Sequence, residues 1–219
     1  MPTLLLTGFG PFGSIEVNPS QLIAERLHGE TFGPLEVVSH VLPVVFGEDA
    51  VLVESLVAEH DPVIVLSLGV SARHGTLRLE TLGRNLRQAP EGPRPILDEG
   101  PAVTHATLAF AEILGRITGV TAPIELSDHA GDYLCNHVLY TTLRLGERSG
   151  GRFRAGFLHI PKAIEHHPGD DLSRPLAEIE QGVRAVLTEI GAWFDRSRGE
   201  SWTMRSSREN NPAADSRLT

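Results

Sequence analysis

The chain has 219 residues, 41% of them hydrophobic, enough to close a core without disulfide or metal staples. Its 28 acidic residues outweigh 19 basic ones for a formal net charge of −9, which argues against nucleic acid as a partner, because phosphate binding needs a positive field. Cys135 is the only cysteine, so an intrachain disulfide and a zinc site built on paired cysteines are both excluded. No run of roughly 20 apolar residues could cross a membrane. The opening residues 1–8 lack the basic region and long apolar stretch of a signal peptide. A cytoplasmic, reducing setting is the expectation.

Residues 3–7 form a short apolar run closed by Gly8-Phe9-Gly10-Pro11-Phe12-Gly13, which predicts a buried strand running into a loop. Asn18 suits a helix N-cap and Pro19 the first helical position, with Leu22, Ile23, Arg26 and Leu27 following at helical spacing. Residues 35–42 are β-rich, 48–60 carry one apolar helical face, and 62–69 read as a buried strand. Residues 77–82 alternate as a strand does. Residues 85–101 carry Pro90, Pro93, Pro95, Pro101, Gly92 and Gly100, predicting a long, mobile loop. Helix is predicted over 104–117, strand over 123–127, helix over 134–145, strand over 153–160, and a long amphipathic helix over 172–194. Strands alternating with helices, and apolar on both faces, predict a three-layer α/β/α sandwich with a mostly parallel twisted sheet. One catalytic α/β domain is expected over 1–196. From Ser197 onward the apolar pattern fails, which predicts a disordered tail over 197–219.

Ligands of such sheets sit at the carboxyl ends of strands, where the loops begin. Four of these ends carry unusual residues: 8–13, 69–75, 127–135 and His159-Ile160-Pro161. Cys135 falls where a helix starts, so outward N–H groups and the helix dipole favour a thiolate there and can hold an oxyanion. A lone cysteine is also commonly just a small buried hydrophobe. An imidazole at His159 can take a thiol proton and return it to a leaving amine. His166-His167 lies in a Pro/Gly/Asp loop and reads as solvated. No tight His/Asp/Glu spacing supplies a metal site, so no metal and no cofactor are expected. Glu80 sits inside an alternating apolar stretch, where a charge is costly unless paired. It is either the carboxylate that orients the imidazole or a solvent-facing acid on a strand.

Gly8-Phe9-Gly10-Pro11-Phe12-Gly13 followed by Asn18-Pro19-Ser20 resembles the opening Gly-Phe-x-Pro-Phe…Asn-Pro-Ser of the pyroglutamyl peptidase I (pyrrolidone-carboxylate peptidase) family. Ala130-Gly131-Asp132-Tyr133-Leu134-Cys135-Asn136, with Tyr140, is similar to that family's nucleophile segment, and Phe157-Leu158-His159-Ile160-Pro161 to its histidine segment. The resemblance runs over about residues 3–195. It implies a cysteine exopeptidase that removes an N-terminal pyroglutamyl residue from peptides. Cys135 would be the nucleophile, His159 the base and then acid, and Glu80 the group orienting the imidazole. Phe9 and Phe12 would flank the flat lactam ring, with Asn18, Val70, Tyr133 and Leu134 completing the substrate site. A homotetramer is also implied.

Two stretches depart from the family pattern. Its Gly-Gln-Ala-Gly-Gly-Arg is here Gly69-Val70-Ser71-Ala72-Arg73-His74-Gly75, although the Val70 carbonyl could still hold the lactam N–H. Its Glu-Arg-Val-Ala-Ile-Asn is here Glu80-Thr81-Leu82-Gly83-Arg84-Asn85. An oxyanion-assisting arginine of the family has two candidates, Arg87 and Arg94. The rival readings are a phosphate-dependent nucleoside-type phosphorylase on a similar fold and a catalytically silent protein that binds pyroglutamyl peptides.

Overall fold

The computed structural model describes residues 1–209. In chain order the elements are β1 (Thr3–Phe9), α1 (Pro19–Leu27), β2 (Thr31–Phe32), β3 (Leu35–Leu42), α2 (Glu48–His60), β4 (Ile64–Val70), β5 (Leu77–Glu80), β6 (Leu82–Arg84), β7 (Val103–His105), α3 (Phe110–Arg116), β8 (Ile124–Ser127), α4 (Leu134–Arg148), β9 (Arg154–Ile160) and α5 (Leu176–Glu209). Seven strands form one sheet of order β2-β3-β1-β4-β9-β5-β8, and β6 pairs with β7 apart from it. The central pairings β3–β1, β1–β4 and β4–β9 are parallel, as is β5–β8, whereas β2 and β5 run against β3 and β9. The three-layer sandwich of the sequence reading is therefore present, with a mixed sheet.

Successive side chains on a strand point to opposite faces, and that decides which layer each residue joins. Leu4, Leu6, Leu66, Leu68, Leu158 and Ile160 pack with Ile23 and Leu27 of α1 and Val183 and Leu187 of α5. Leu5, Val65, Ala155 and Phe157 pack with Val53 and Leu56 of α2 and Val138 and Leu139 of α4. His159, two residues beyond Phe157, thus belongs to the α4 side. Leu77 and Leu79 join the α5 side, so Arg78 and Glu80 face the α4 side as well.

The loop after β1 is held from behind. Asn18 Oδ1 accepts from the Ser20 N–H (3.0 Å) and hydroxyl (2.8 Å), while its Nδ2 donates to the Gly10 carbonyl (2.9 Å). Ser20 Oγ in turn accepts from the Phe9 N–H at 3.0 Å. Helix α1 and strand β1 approach so closely that a Cβ on Gly8 would lie 2.3 Å from the Ser20 carbonyl oxygen.

Several expectations are corrected. The segment 104–117 is not one helix: Thr104 lies in β7, opposite Gly83, and helix begins only at Phe110. Val103 and Thr104 are β-branched and fit the ladder better than a helical turn. The last helix starts at Leu176 rather than 172, directly after Pro175, because proline fits the entry to a helix but not its interior. The loop over 85–101 is built around Asn85, whose Oδ1 accepts from the Ile96 and Leu97 N–H groups and whose Nδ2 donates to the Leu97 and Gly100 carbonyls. It is a folded hairpin with Arg87 bridged to Arg94. Helix α5 runs to Glu209, through the first part of the tail expected to be disordered from 197. No proline interrupts it before Pro212. The rest of that tail, 210–219, lies outside the described residues.

The Gly8–Ser20 approach leaves no room for a methyl group between two backbones. Gly8→Ala is expected to destabilise the protein by about 1–3 kcal/mol or more, read as a lower urea midpoint with an unchanged denaturant slope.

Candidate active site

Cys135 is the second residue of α4, and the residue capping that helix, Tyr133, makes no side-chain capping hydrogen bond. The first N–H groups of a helix have no partner within it and point out of its end, toward whatever sits there. Asn136, fully buried beside the thiol, donates to the Arg84 (2.8 Å) and Leu86 (2.7 Å) carbonyls and accepts from the Arg84 N–H (2.9 Å). The helix start is thereby tied to the base of the 85–102 hairpin. The Tyr140 hydroxyl, one and a half turns further on, donates to the Pro101 carbonyl at 2.9 Å.

Gly69 ends the floor beneath the thiol. It pairs with His159 across β4 and β9, and a Cβ there would stand 2.9 Å from Cys135 Sγ and 2.6 Å from the Phe157 ring. Glycine is required by this close approach, not by backbone conformation. The Phe157 and His159 rings are tilted neighbours on one face of β9, with centroids 4.9 Å apart.

His159 Nδ1 lies 2.8 Å from Glu80 Oε1, with Glu80 0% and His159 7% exposed. A carboxylate only accepts, so Nδ1 carries the proton and Nε2 is the nitrogen left for Cys135. Burial by itself would lower the His159 pKa; the charge and hydrogen bond of Cys135, then those of Glu80, outweigh it and push it up to about 9. Glu80 shows the mirror effect. Burial would raise its pKa, and the His159 hydrogen bond and charge, followed by Ser127 and Arg78, bring it below the ordinary carboxylate value. Glu80 is therefore not the solvent-facing acid of the alternative sequence reading.

Two cavities meet at the thiol. A narrow one is walled by Phe9, Phe12, Val44, Val70, Tyr133 and Leu134, with Cys135 at its end. A broader cleft of about 320 Å³ continues past Cys135 and His159 over residues 70–74, Arg78, Gln88 and 129–133. Five of the six residues expected to touch substrate thus converge. Asn18 does not: it is buried behind the loop, and its side chain is occupied in holding Gly10 and Ser20. The motif position was legible, but both lone pairs of its amide oxygen are taken by Ser20 and one N–H by Gly10, and Asn18 lines neither cavity.

Val44, Gln88 and Asn136 take part without having been singled out. Val44 follows the end of β3 with no chemical signature, and Gln88 lies in the proline- and glycine-rich 85–101 stretch. Neither arginine candidate lines the narrow pocket or the cleft. The Arg87 guanidinium stacks 5.6 Å from the centre of the Phe46 ring, and Arg94 pairs with Glu91 at 3.1 Å. Among the described residues no group of three or more His, Cys, Asp or Glu side chains is placed to hold a metal ion. No helix there is long and apolar enough to cross a membrane.

A thiol at a helix start, a histidine at a strand end and a buried carboxylate behind it, on an α/β/α sheet, define a site of the cysteine-peptidase class. The comparisons with known proteins narrow this further. A family model described as pyroglutamyl peptidase, peptidase family C15, matches residues 2–195. The pyrrolidone-carboxylate peptidase of Halalkalibacterium halodurans is 34% identical over 199 residues, covering 85% of this chain and 96% of its own. That of Bacillus cereus is 30% identical over 198 residues, covering 85% and 92%. The crystal structure of Bacillus amyloliquefaciens pyroglutamyl peptidase I superposes with a TM-score of 0.82 at 29% identity, over 88% of this chain and 98% of that one. The pyrrolidone carboxyl peptidase of Thermococcus litoralis gives 0.83 at 25% identity, over 90% and 96%. The chain belongs to the pyroglutamyl peptidase family.

The shifted pair sets a pH window. The raised His159 pKa contributes stability that is full below its ordinary 6.5 and fades as pH rises through about 9. The lowered Glu80 pKa contributes stability present above its ordinary 4.5 and fades as pH falls through the lowered value. Turnover of a pyroglutamyl amide is expected to lose activity on an alkaline limb near pH 9. Glu80→Gln removes two of the influences that raise His159, so its alkaline limb moves down, and kcat falls by roughly 10²-fold or more without vanishing. A pH–rate profile of both proteins checks this; an unchanged limb would separate Glu80 from the titrating histidine.

Proposed function

We propose that the protein hydrolyses the bond after an N-terminal pyroglutamyl residue, with Cys135 as nucleophile, His159 as general acid and base, and Glu80 as the group orienting the imidazole. One observation carries the assignment: the buried Glu80–His159 hydrogen bond aims Nε2 at the only thiol in the chain, at the junction of a narrow apolar pocket and an open cleft. A pyroglutamyl ring has no free amine to anchor by charge. It needs flat apolar walls and a few hydrogen bonds, and Phe9, Phe12 and Val70 supply the walls.

Cys135 Sγ attacks the pyroglutamyl carbonyl carbon, and the oxygen that gains charge is received by N–H groups of the first turn of α4. The His159 imidazolium gives its proton to the departing amine, and the freed peptide leaves through the broad cleft. A water then attacks the thioester, with neutral His159 taking its proton, and the acid and the Cys135 thiol are released. Glu80 remains a carboxylate throughout and holds the Nδ1–H.

The family match and the complete set of three side chains favour this reading over a phosphorylase or a silent binding protein. A lone reactive thiol suits a reducing, cytoplasmic setting. Resemblance to the family supports a homotetramer, and we assign a single catalytic domain to 1–196.

Two outcomes test the function. A pocket that pairs the lactam carbonyl and N–H should favour pyroglutamyl over prolyl amides by roughly 10⁴-fold in kcat/KM, because an analogue lacking those groups leaves pocket atoms unpaired; comparable turnover would overturn the assignment of the narrow pocket. Iodoacetamide should label native protein at one site and abolish activity in proportion, with a non-hydrolysable pyroglutamyl analogue slowing both. Full activity in a completely alkylated protein, with labelling read by mass spectrometry, would exclude cysteine catalysis.

A further inference from the structure

Behind the catalytic carboxylate lies a hydrogen-bonded chain that the three reacting side chains do not account for. Ser127 ends β8, is 5% exposed, and stands directly opposite Glu80 in the parallel β5–β8 register. Its Oγ accepts from Arg78 Nη2 at 2.9 Å and from the His129 N–H at 3.3 Å. A hydroxyl oxygen has two lone pairs and one proton. With both acceptor positions filled, only the proton remains to be placed. Glu80 offers an acceptor: Oε1 takes the His159 Nδ1–H, while Oε2 is sealed from solvent with no partner at hydrogen-bonding geometry among the described residues.

An ionised carboxylate oxygen left unpaired in the interior is costly, and a hydrogen bond to it is among the stronger kinds. The Ser127 hydroxyl already acts on Glu80, being one of the influences that hold its pKa down. The β5–β8 register sets the two residues side by side, so their side chains leave the same face of the sheet as neighbours, and the Ser127 proton is the one left to direct at Oε2. Arg78 reinforces the arrangement. Its guanidinium also donates from Nη1 to His74 Nε2 and lies 3.4 Å from Glu125, so its place against Ser127 is set from three sides.

We propose that Ser127, with its Oγ held by Arg78, donates its hydroxyl proton to Glu80 Oε2 and is a positioning residue for the reaction. No bond to substrate is made by Ser127 itself. It fixes the plane of the carboxylate, so that the other oxygen stays in line with His159 Nδ1 as the imidazole changes charge during each turnover. The proposal rests on the reading of Glu80 as the orienting carboxylate. The charged and titratable groups around Glu80 are His159 on β9, Cys135 on α4, Arg78 on its own strand and His74 in the preceding loop, with Glu125 of β8 beyond Arg78.

Ser127→Ala removes a donor to the ionised form, so the Glu80 pKa rises and the acid limb of kcat/KM moves up by about one pH unit. Because Ser127 does not touch substrate, kcat should drop about tenfold while KM changes less than twofold. Ser127→Thr keeps the hydroxyl and should keep the wild-type acid limb. A merely structural serine would lower stability in Ser127→Ala without moving either the limb or the kcat-to-KM pattern, and that result overturns the proposal. Titration of the Glu80 carboxyl carbon by NMR, assigned through its loss in Glu80→Gln, reads the same shift without any substrate. If no pyroglutamyl amide is turned over, the function fails while this measurement still decides the role of Ser127. Should Ser127→Ala not fold, neutron diffraction of the wild-type protein settles the point. A deuterium on Ser127 Oγ directed at Glu80 Oε2 supports the proposal, and one directed at a backbone carbonyl refutes it.

Discussion

The hydrogen bond between Glu80 and His159 is the constraint to which the rest of the site conforms. The two ionisable groups are buried close to Phe157, Val138 and Leu139, and neither is tolerable there alone. Each offsets part of the cost of the other's burial: Cys135 first and then Glu80 raise the His159 pKa, and His159 lowers that of Glu80. The arrangement depends on β5 running against β9. Antiparallel pairing sets Arg78 opposite His159 and Glu80 opposite Phe157, so the carboxylate reaches the imidazole from beneath rather than from the rim of the sheet. Ser127 ends its strand at the same depth as Glu80.

The two cavities meet at the thiol. On the proposed reading, the narrow pocket would take the flat ring and the broader cleft beyond the thiol the rest of the peptide. Val70, Tyr133 and Cys135 border both. This geometry suits an enzyme that cuts after one terminal residue and is indifferent to the length of the peptide it releases. Tyr133 contributes twice, since its ring meets Phe46 edge-on at 5.3 Å, and the same Phe46 ring receives the Arg87 guanidinium on the hairpin side.

Helix α4 carries more than the thiol. Asn136 and Tyr140 hold opposite ends of the 85–102 hairpin, and His137 Nδ1 makes a 2.7 Å contact with the buried Asp49 of α2. Thiol, hairpin and neighbouring helix are consequently positioned by one rigid element. A site mounted this way keeps its geometry better than one assembled from loops alone. The first-turn N–H groups remain available because no side chain caps the helix.

Much of this was legible in the residues. Periodic apolar runs located the central strands and helices, because a strand buried on both faces must be apolar throughout and an amphipathic helix must repeat near 3.6 residues. The order of Glu80, Cys135 and His159, with the glycine-rich loop bearing Phe9 and Phe12, sufficed to name a chemistry by resemblance. Local sequence could not decide whether Glu80 was paired, because its partner lies 79 residues away and is reached only through the β5–β9 register. It could not separate Asn18 the cap from Asn18 the ligand, since the same amide serves both and only the neighbours that occupy it tell them apart. Nor could it reveal the strand at Val103–His105, whose pairing partner lies across a hairpin. Residue chemistry and spacing determined the layers and the kind of reaction; the close approaches among Gly69, Cys135 and Phe157, and the directions in which β5 and β8 run, were decided by tertiary packing, because they depend on contacts between segments that no local pattern encodes.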